Sequence, residues 1–314
     1  MLQGDQLSLA RTITQVENDT QLGHQVLDQL FSHGGTAHLI GITGPSGAGK
    51  STLVNALVRR YREQMPEKKV AVIGVDPTSP FSGGALLGDR VRMRDICADP
   101  GVFMRSMATR GALGGLAKTT AAVVSILDAG GYDPILVETV GAGQAEVDIA
   151  RLAHTTIVIE APGLGDDVQS SKAGILEIAD ILVVNKSDRP GAEGVVQSLR
   201  SMIEMGTVDR GEQTQQTEPD QWIPPVISTI ATQGQGIIEL MEAISQHAEI
   251  IHQNGDYQRK ENARMQAWVQ QIFQEELMKN WQQADSYHNY AKIIQEVTER
   301  KLSPYRAVQQ LLKQ

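Results

Sequence analysis

Residues 39–60 read LIGITGPSGAGKSTLVNALVRR, and this stretch decides the fold. An apolar run leads into a loop that fits the pattern G-x-x-x-x-G-K-[ST] at every position, and a run of helix formers follows. Glycines in such a loop let consecutive backbone N–H groups turn toward a phosphate, and the helix N-terminus adds partial positive charge. We therefore predict that residues 44–51 are the phosphate-binding loop of a P-loop protein.

The loop predicts a set of nucleotide contacts. Lys50 is expected to bridge the β- and γ-phosphates, and the Ser51 hydroxyl is expected to bind Mg²⁺. The full set of predicted phosphate contacts is Gly44, Pro45, Ser46, Gly47, Ala48, Gly49, Lys50, Ser51 and Thr52.

Beyond residue 38, short apolar runs alternate with segments of helical length. Five such runs follow one another, at 38–44, 70–76, 134–141, 155–162 and 180–186. Near-continuous apolar strands separated by helices indicate a parallel sheet that is covered on both faces. The predicted fold class is α/β, a P-loop NTPase with a mostly parallel central sheet flanked by helices, plus N-terminal and C-terminal helical extensions.

The chain divides into three predicted parts: an N-terminal helical extension at 1–36, a nucleotide-binding domain at 37–250 and a C-terminal helical arm at 251–314. Residues 5–33 show helical periodicity up to Gly34 and Gly35. Residues 206–221 are polar and predict an exposed loop before a last strand at 225–229. Residues 257–281 and 286–300 predict helices, and Ser303-Pro304 predicts the start of a final one.

An N-K-x-D pattern follows the strand at 180–186 and predicts the base. Its residues are Asn185, Lys186, Ser187 and Asp188. The Asp188 carboxylate can accept hydrogen bonds from the ring N–H and the exocyclic amine of guanine, which adenine does not offer. Four residues at a strand end are also a fair capping turn. Following a P-loop, however, they predict GTP and GDP as the nucleotides.

Carboxylates near the predicted strand ends are candidate Mg²⁺ ligands. Glu138 follows the apolar residues PILV at 134–137, where P-loop proteins place a carboxylate that reaches Mg²⁺, and a strand-end glutamate that caps the next helix is the alternative. Gly141 is expected to meet the γ-phosphate. Asp76 and Asp89 are candidate outer partners of the ion on a switch loop, although turn carboxylates on a surface are the alternative. The predicted metal set is Ser51, Asp76, Asp89 and Glu138, and the predicted catalytic set is Lys50, Glu138, Gly141 and Asp89.

Two further features bear on catalysis. Ala142 stands where Ras-like GTPases carry a water-orienting glutamine, so we predict slow intrinsic hydrolysis; Gln144 substitutes only if the loop reorganises. Arg105 and Arg110 are candidate arginine fingers in cis, with solvated surface arginines as the equal alternative.

Composition narrows the class of protein. The formal net charge is −9, which argues against a nucleic-acid partner, because nucleic-acid binders usually present a basic face. Cys97 is the one cysteine, so no disulfide or cysteine-rich zinc site forms within the chain. No apolar run reaches the roughly 18–20 residues that cross a bilayer, and no signal peptide is evident. We expect a cytoplasmic protein with no membrane partner.

The chain resembles the MeaB/ArgK family of GTPases, which includes the human methylmalonic aciduria type A protein. The likeness covers nearly the whole chain. It is carried by LARTITQVEN at 9–18, VDPTSPFSGGALLGDRVRM at 75–93, ETVGAGQAEVDI at 138–149 and APGLGDDVQSSKAGILEIADILVVNK at 161–186.

The resemblance implies a GTPase chaperone for an adenosylcobalamin-dependent acyl-CoA mutase, usually methylmalonyl-CoA mutase. It implies a homodimer formed through C-terminal helical arms, and an extra switch at 163–172 whose polar parts are Asp166, Asp167 and Lys172. One stretch departs from the family: Ile230-Ala231-Thr232 stands where Ser-Ala is usual. A backbone N–H, from Ala231 for example, is still expected to reach the guanine carbonyl.

Three alternatives remain open at this point. A nickel metallochaperone GTPase shares the core but needs a Cys/His cluster, whereas His24, His33, His38 and Cys97 are scattered. A kinase or ATPase linked to amino-acid transport predicts a preference for ATP, which Asp188 opposes. A purely structural interaction protein does not need the intact Lys50 and Ser51.

Overall fold

The computed structural model describes residues 5–76, 96, 98–108, 115–139, 145–164, 177–213, 222–283 and 289–312. Within these residues, seven strands form one sheet. The strands are β1 (Leu39–Thr43), β2 (Lys69–Asp76), β3 (Val102–Ala108), β4 (Tyr132–Thr139), β5 (Thr155–Glu160), β6 (Ile181–Asn185) and β7 (Val226–Thr229).

The sheet runs in the order β3-β2-β4-β1-β5-β6-β7, and every pairing is parallel. All five residues of β1 and all five of β6 are buried. Strands covered on both faces need apolar side chains at consecutive positions, and this explains the continuous apolar runs in the sequence. The predicted α/β fold class is confirmed.

The described residues contain ten helices. In chain order they are α1 (Gln6–Glu17), α2 (Gln21–Leu30), α3 (Lys50–Gln64), α4 (Gly115–Ala129), α5 (Ala145–Leu152), α6 (Ala192–Gln213), α7 (Ile237–Gln253), α8 (Asp256–Gln283), α9 (Tyr290–Thr298) and α10 (Pro304–Leu311). The Asp5 carboxylate caps α1 by accepting from the Leu7 and Ser8 N–H groups. The helical periodicity of residues 5–33 corresponds to two helices, α1 and α2, and a short 3₁₀ turn at Phe31–His33 follows α2.

The parallel arrangement brings the carboxyl ends of all strands to one edge of the sheet. β1 lies in the middle, paired with β4 on one side and β5 on the other. Ligands of open α/β sheets bind at this edge, in the crevice outside the strand ends. The loop at 44–49 leaves β1 there and leads directly into α3.

The chain clusters into two compact units, Met1–Arg264 and Met265–Gln314. The second unit has a small apolar core of its own, formed by Ile293, Ala307 and Leu311 with Trp281, Val297 and Leu302 around them. The Ser303 hydroxyl accepts from the Arg306 N–H at the start of α10, and Pro304 is its first residue. This confirms the helix start predicted from Ser303-Pro304. The domain boundaries at 36 and 250 stay a prediction.

Three details differ from the sequence-based expectation. Residues 206–213 belong to α6, so the loop predicted at 206–221 is wrong over that range; residues 214–221 lie outside the described residues. The strand β3 was not predicted. The helical spacing of Met265, Trp268, Val269, Ile272 and Leu277 predicts one apolar face, but on α8 Trp268 is buried whereas Val269 is 64% exposed and Leu277 is 52% exposed.

Among the described helices, none contains an uncharged apolar stretch of the length that a bilayer requires.

Candidate nucleotide site

The loop 44–49 closes tightly around the carboxyl end of β1. Gly44, Gly47 and Gly49 all have positive φ angles, of 138°, 81° and 94°. A Cβ at Gly44 would lie 2.2 Å from the Ile159 carbonyl oxygen, and one at Gly49 would lie 2.3 Å from Asn185 Nδ2. Both positions require glycine, because side chains are strained at these angles and no space remains for a Cβ.

Lys50 begins α3 and is only 6% exposed. Its Nζ donates to the Gly44 carbonyl oxygen at 2.8 Å and to the Pro45 carbonyl oxygen at 3.0 Å. The ammonium therefore lies over the loop, and its bridge between the β- and γ-phosphates stays a prediction. Charge-assisted bonds of this kind are stronger than neutral ones, so Lys50 also stabilises the shape of the loop.

Asn185 connects three parts of the site. Its Nδ2 donates to the Ala48 carbonyl oxygen at 2.8 Å, and its Oδ1 accepts from Thr229 Oγ1 at 3.2 Å and from the Ala231 N–H at 3.1 Å. Asn185 is 3% exposed, and it joins the phosphate loop to the turn after β7. The predicted contact from the Ala231 N–H to guanine stays a prediction; in this structure that N–H donates to Asn185.

Lys186 and Asp188 follow at the carboxyl end of β6. Lys186 has a φ of 59°, and its Nζ donates to the Gly47 carbonyl oxygen at 2.6 Å. The Ser187 N–H donates to the Thr229 carbonyl oxygen at 3.1 Å, which fixes the turn. Asp188 is exposed. Its carboxylate is therefore accessible to a base bound beside the loop, as the N-K-x-D pattern predicts.

Two of the predicted Mg²⁺ ligands face each other. Ser51 Oγ donates to Glu138 Oε1 at 2.6 Å, and Glu138 is 3% exposed. The two residues meet because β1 pairs with β4, with Ile42 opposite Glu138. A hydroxyl and a carboxylate are both hard oxygen donors, which is the chemistry that Mg²⁺ prefers. The residues present therefore fit this ion.

The other predicted Mg²⁺ and catalytic residues are described in part. Asp76 is the last residue of β2, at the same edge of the sheet. Asp89 and Gly141 lie outside the described residues, as do Arg110, Ala142, Gln144 and the predicted switch residues Asp166, Asp167 and Lys172.

Arg105 is engaged away from the strand ends. It donates to the Glu17 carboxylate and, at 3.1 Å, to Thr14 Oγ1, both on α1. It stands three residues before the end of β3, roughly 10 Å below the edge of the sheet at the usual rise per residue. An arginine held in this way fastens α1 to the sheet, which is neither the finger nor the solvated surface residue proposed from the sequence.

A cavity of about 620 Å³ opens beside the loop, between α3 and the turn after β7. Its lining includes Thr52 and Ala231, two predicted nucleotide contacts, together with Asn55, Arg59 and Gln233. The cavity adjoins the nucleotide site on the side of the Ala231 turn.

Among the residues with described positions, no group of three or more His, Cys, Asp or Glu side chains could hold a metal ion. The structure thus provides no observation in favour of the nickel metallochaperone alternative.

Comparisons with known proteins agree with this site. The sequence model of the family described as methylmalonyl-CoA mutase-associated GTPase MeaB matches residues 9–286. A Pyrococcus abyssi protein named as a GTPase is 43% identical over 314 residues, covering 100% of this chain and 94% of that protein. The GTPase ArgK of Escherichia coli is 33% identical over 315 residues, covering 98% and 92%.

A crystal structure of a LAO/AO transport system kinase superposes with a TM-score of 0.71 at 24% identity, covering 99% of this chain and 94% of that one. This likeness shows the fold alone. The family match spans most of the chain, and the loop at 44–51 and the N-K-x-D turn follow β1 and β6, two strands of the same parallel sheet that are separated by β5. The chain belongs to the MeaB/ArgK family and is a P-loop GTPase that binds guanine nucleotide.

Proposed function

We propose that this GTPase is a chaperone and gatekeeper for an adenosylcobalamin-dependent acyl-CoA mutase of the methylmalonyl-CoA mutase type, controlling cofactor loading and protecting the mutase. The observation that carries this proposal is the family match over residues 9–286. It extends well beyond the nucleotide motifs on both sides, and the family description itself names a mutase association.

In this proposal, the chain's own groups bind the triphosphate at the carboxyl edge of the sheet. Backbone N–H groups of the loop 44–49 and the N-terminus of α3 face the phosphates. Lys50 exchanges its bonds to the Gly44 and Pro45 carbonyl oxygens for bonds to the phosphate oxygens, so its charge moves little. A pre-positioned cation of this kind stabilises negative charge that develops during phosphoryl transfer.

Ser51 and Glu138, with Asp76 at the end of β2, would hold Mg²⁺ at the same edge. The ion would supply neutralisation of the charge on the β- and γ-phosphate oxygens. Glu138 is buried and hydrogen-bonded to Ser51, so its carboxylate keeps a fixed position between β1 and β4. Asp89 and Gly141 stay predicted parts of the catalytic set.

Asp188 binds the base, and Asn185 holds the turn that carries Asp188 in a fixed position relative to the phosphate loop. The three bonds of Asn185 join Ala48, Thr229 and Ala231, so a shift of the loop is transmitted to the base-binding turn. Lys186 makes a second connection through the Gly47 carbonyl oxygen. The nucleotide state would reach the mutase through the predicted switch segments at 75–93 and 163–172, ordered by the γ-phosphate and released after hydrolysis.

The test is co-purification from cells that express a cobalamin mutase. Immobilised full-length protein should retain the mutase, and the retained amount should differ between GDP and a non-hydrolysable GTP analogue. A Lys50→Ala chain serves as the control, because its capture should not respond to nucleotide. Failure to retain any cobalamin mutase in either nucleotide state would contradict the proposal.

The same proposal includes a homodimer formed by the C-terminal arm. On α8, Val269, Phe273 and Leu277 are spaced by four residues and are 64%, 61% and 52% exposed. Residues spaced by four lie on one side of a helix, so these three form an apolar face. We assign this face to a second copy of the chain.

A cytoplasmic location also stays a prediction.

Replacing Phe273 by glutamate should dissociate the dimer. A charge in the middle of the apolar face must be desolvated on association, which is expected to raise the dimer dissociation constant by about 100-fold or more. Light scattering coupled to size exclusion measures the mass. Gln274→Glu places the same charge on the neighbouring exposed position and should leave the mass unchanged. Equal masses for the two variants would count against this face.

A further inference from the structure

Four histidines gather at the amino edge of the sheet, opposite the nucleotide loop. His38 and His154 directly precede β1 and β5, and His247 and His252 lie on α7. The His38 and His154 rings are 5.7 Å apart, and Tyr257 of α8 lies between His154 and His252, at ring distances of 4.4 and 4.1 Å. The nucleotide chemistry uses none of these groups.

His154 is 2% exposed and completes the pairing of β1 with β5. Its backbone N–H donates to the Leu39 carbonyl oxygen at 2.8 Å, and the Leu39 N–H donates to its Nδ1 at 3.1 Å. Because Nδ1 accepts, the ring proton is on Nε2, which lies 3.2 Å from Glu261 Oε2. His154 is therefore neutral here, with both nitrogens used.

The first turns of α8, residues 256–264, pack against His154 and form hydrogen bonds with it. Lys260 Nζ donates to the His154 carbonyl oxygen at 2.7 Å and to Asp180 Oδ2 at 3.1 Å. Glu261 accepts from His154 and also pairs with Arg264 at 2.6 Å. Glu261, the carboxylate that bonds to this ring, thus already has a cationic partner in Arg264, and Lys260 is paired with Asp180.

A second chain of bonds lies behind His154. Thr155 Oγ1 is 2.8 Å from both His38 Nε2 and His247 Nδ1, and His247 Nε2 is 3.3 Å from Asp180 Oδ1. An ionised Asp180 accepts from His247 Nε2, so Thr155 donates to His247 Nδ1 and His38 Nε2 donates to Thr155. Thr155 belongs to β5, and the second chain reaches α8 only at its end, where Asp180 also accepts from Lys260.

We propose that His154 is a proton sensor: in its neutral form it holds residues 256–264 of α8 against the sheet, and on protonation it releases them. A proton added at Nδ1 removes the acceptor of the Leu39 N–H. It also creates a buried cation beside Lys260 and Arg264. When α8 detaches, water reaches the ring, where it can hydrate the cation and accept from the Leu39 N–H in place of Nδ1.

The pH range over which α8 is released follows from the direction in which the histidine pKa values are shifted. Burial lowers the pKa of His154 below its ordinary 6.5, and burial lowers the pKa of His38 further, to about 3. A lowered pKa means that the detached form takes up a proton that the attached form does not, so attachment is complete above pH 6.5 and weakens below it. Bonds to His154 and Arg264 outweigh burial and hold the pKa of Glu261 at about 2, and a bond to His247 helps lower the pKa of Asp180. Both carboxylates therefore stay ionised across this window.

Hydrogen–deuterium exchange of the full-length protein tests the proposal. After correction for intrinsic exchange, the opening of peptides from 256–264 should increase about fivefold between pH 6.5 and 5.5, and up to about tenfold over the next pH unit, for one titrating histidine. Peptides from α1 should show no such change. If the corrected exchange rate of peptides from 256–264 does not vary with pH in the unaltered protein, the proposal is wrong.

His154→Asn identifies the sensor. The asparagine Oδ1 can replace Nδ1 as the acceptor of the Leu39 N–H but does not titrate, so the pH dependence at 256–264 should disappear, whatever the absolute rate. His24→Gln is the matched control, because His24 is exposed, pairs with the nearby Asp19 and does not belong to the histidine cluster. It should keep the dependence of the unaltered protein. Retention of the full dependence in His154→Asn would also overturn the proposal.

Discussion

Replacing Lys50 by alanine is expected to lower the rate of GTP hydrolysis by at least about 100-fold, the usual effect of removing one pre-positioned group that stabilises developing charge. Lys50 is 6% exposed and already lies over the loop, bonded to the Gly44 and Pro45 carbonyl oxygens. No other lysine or arginine among the described residues donates to those two carbonyls. Phosphate release under saturating GTP measures the effect.

Stability and turnover separate the two roles of Lys50. The variant also loses two bonds inside the loop, so a modest drop in melting temperature is expected, from about 1–3 kcal/mol of lost stabilisation. The sheet itself should remain, because its core does not depend on this side chain. Lys68→Ala is a suitable control, since Lys68 is an exposed lysine paired with Asp133 and should keep full turnover. Unchanged hydrolysis by a folded Lys50→Ala protein would refute the assignment of the site.

The central strands could be predicted because burial on both faces leaves a direct mark on the sequence. β1 and β6 are uninterrupted apolar runs, and both were predicted close to their observed ends. β3 was missed since it is an edge strand in which Arg105 and Ser106 interrupt the apolar residues. The end of α6 was missed for a similar reason: beyond Met205, which is 61% exposed, the helical apolar period stops.

The residues of the candidate nucleotide site could be proposed from the sequence because its chemistry is concentrated in two short motifs. Lys50 and Ser51 are fixed by the loop, and Asp188 is fixed by a four-residue turn. The bonds that hold these motifs together could not be predicted, because they join distant residues. Asn185 bonds to Ala48, 137 residues away in sequence, and Ser51 bonds to Glu138, 87 residues away.

The histidine cluster shows the same limit more strongly. In the sequence His38 and His154 are isolated residues, and His38 was described as one of several scattered histidines. They become neighbours only because β1 pairs with β5, which brings the residues before the two strands together. Strand order is set by the whole sheet, so no local pattern around either histidine indicates the other.

Changing Asp188 to asparagine is expected to remove most of the preference for guanine. A carboxylate accepts from both the ring N–H and the exocyclic amine of guanine, whereas an amide offers one acceptor and one donor group. Losing this pairing should weaken GTP binding by about 10- to 100-fold, equivalent to about 1–3 kcal/mol. Because Asp188 is exposed and lies in a turn, the fold should be unaffected. Competition between GTP and ATP, measured by calorimetry, gives the ratio.

The asparagine amide should also create a preference for xanthine. A gain in binding distinguishes this substitution from one that merely damages the site. Xanthine carries a carbonyl where guanine carries its exocyclic amine, and the asparagine NH₂ can donate to that carbonyl. Binding of xanthosine triphosphate should therefore improve in Asp188→Asn while binding of GTP weakens. Arg189→Gln, at the next exposed position, should change neither. Opposite changes in the binding of two purines that differ at this one position are expected only if residue 188 contacts the base directly. If the variant keeps the original ratio of GTP to ATP binding and does not bind xanthosine triphosphate more tightly, Asp188 does not contact the base.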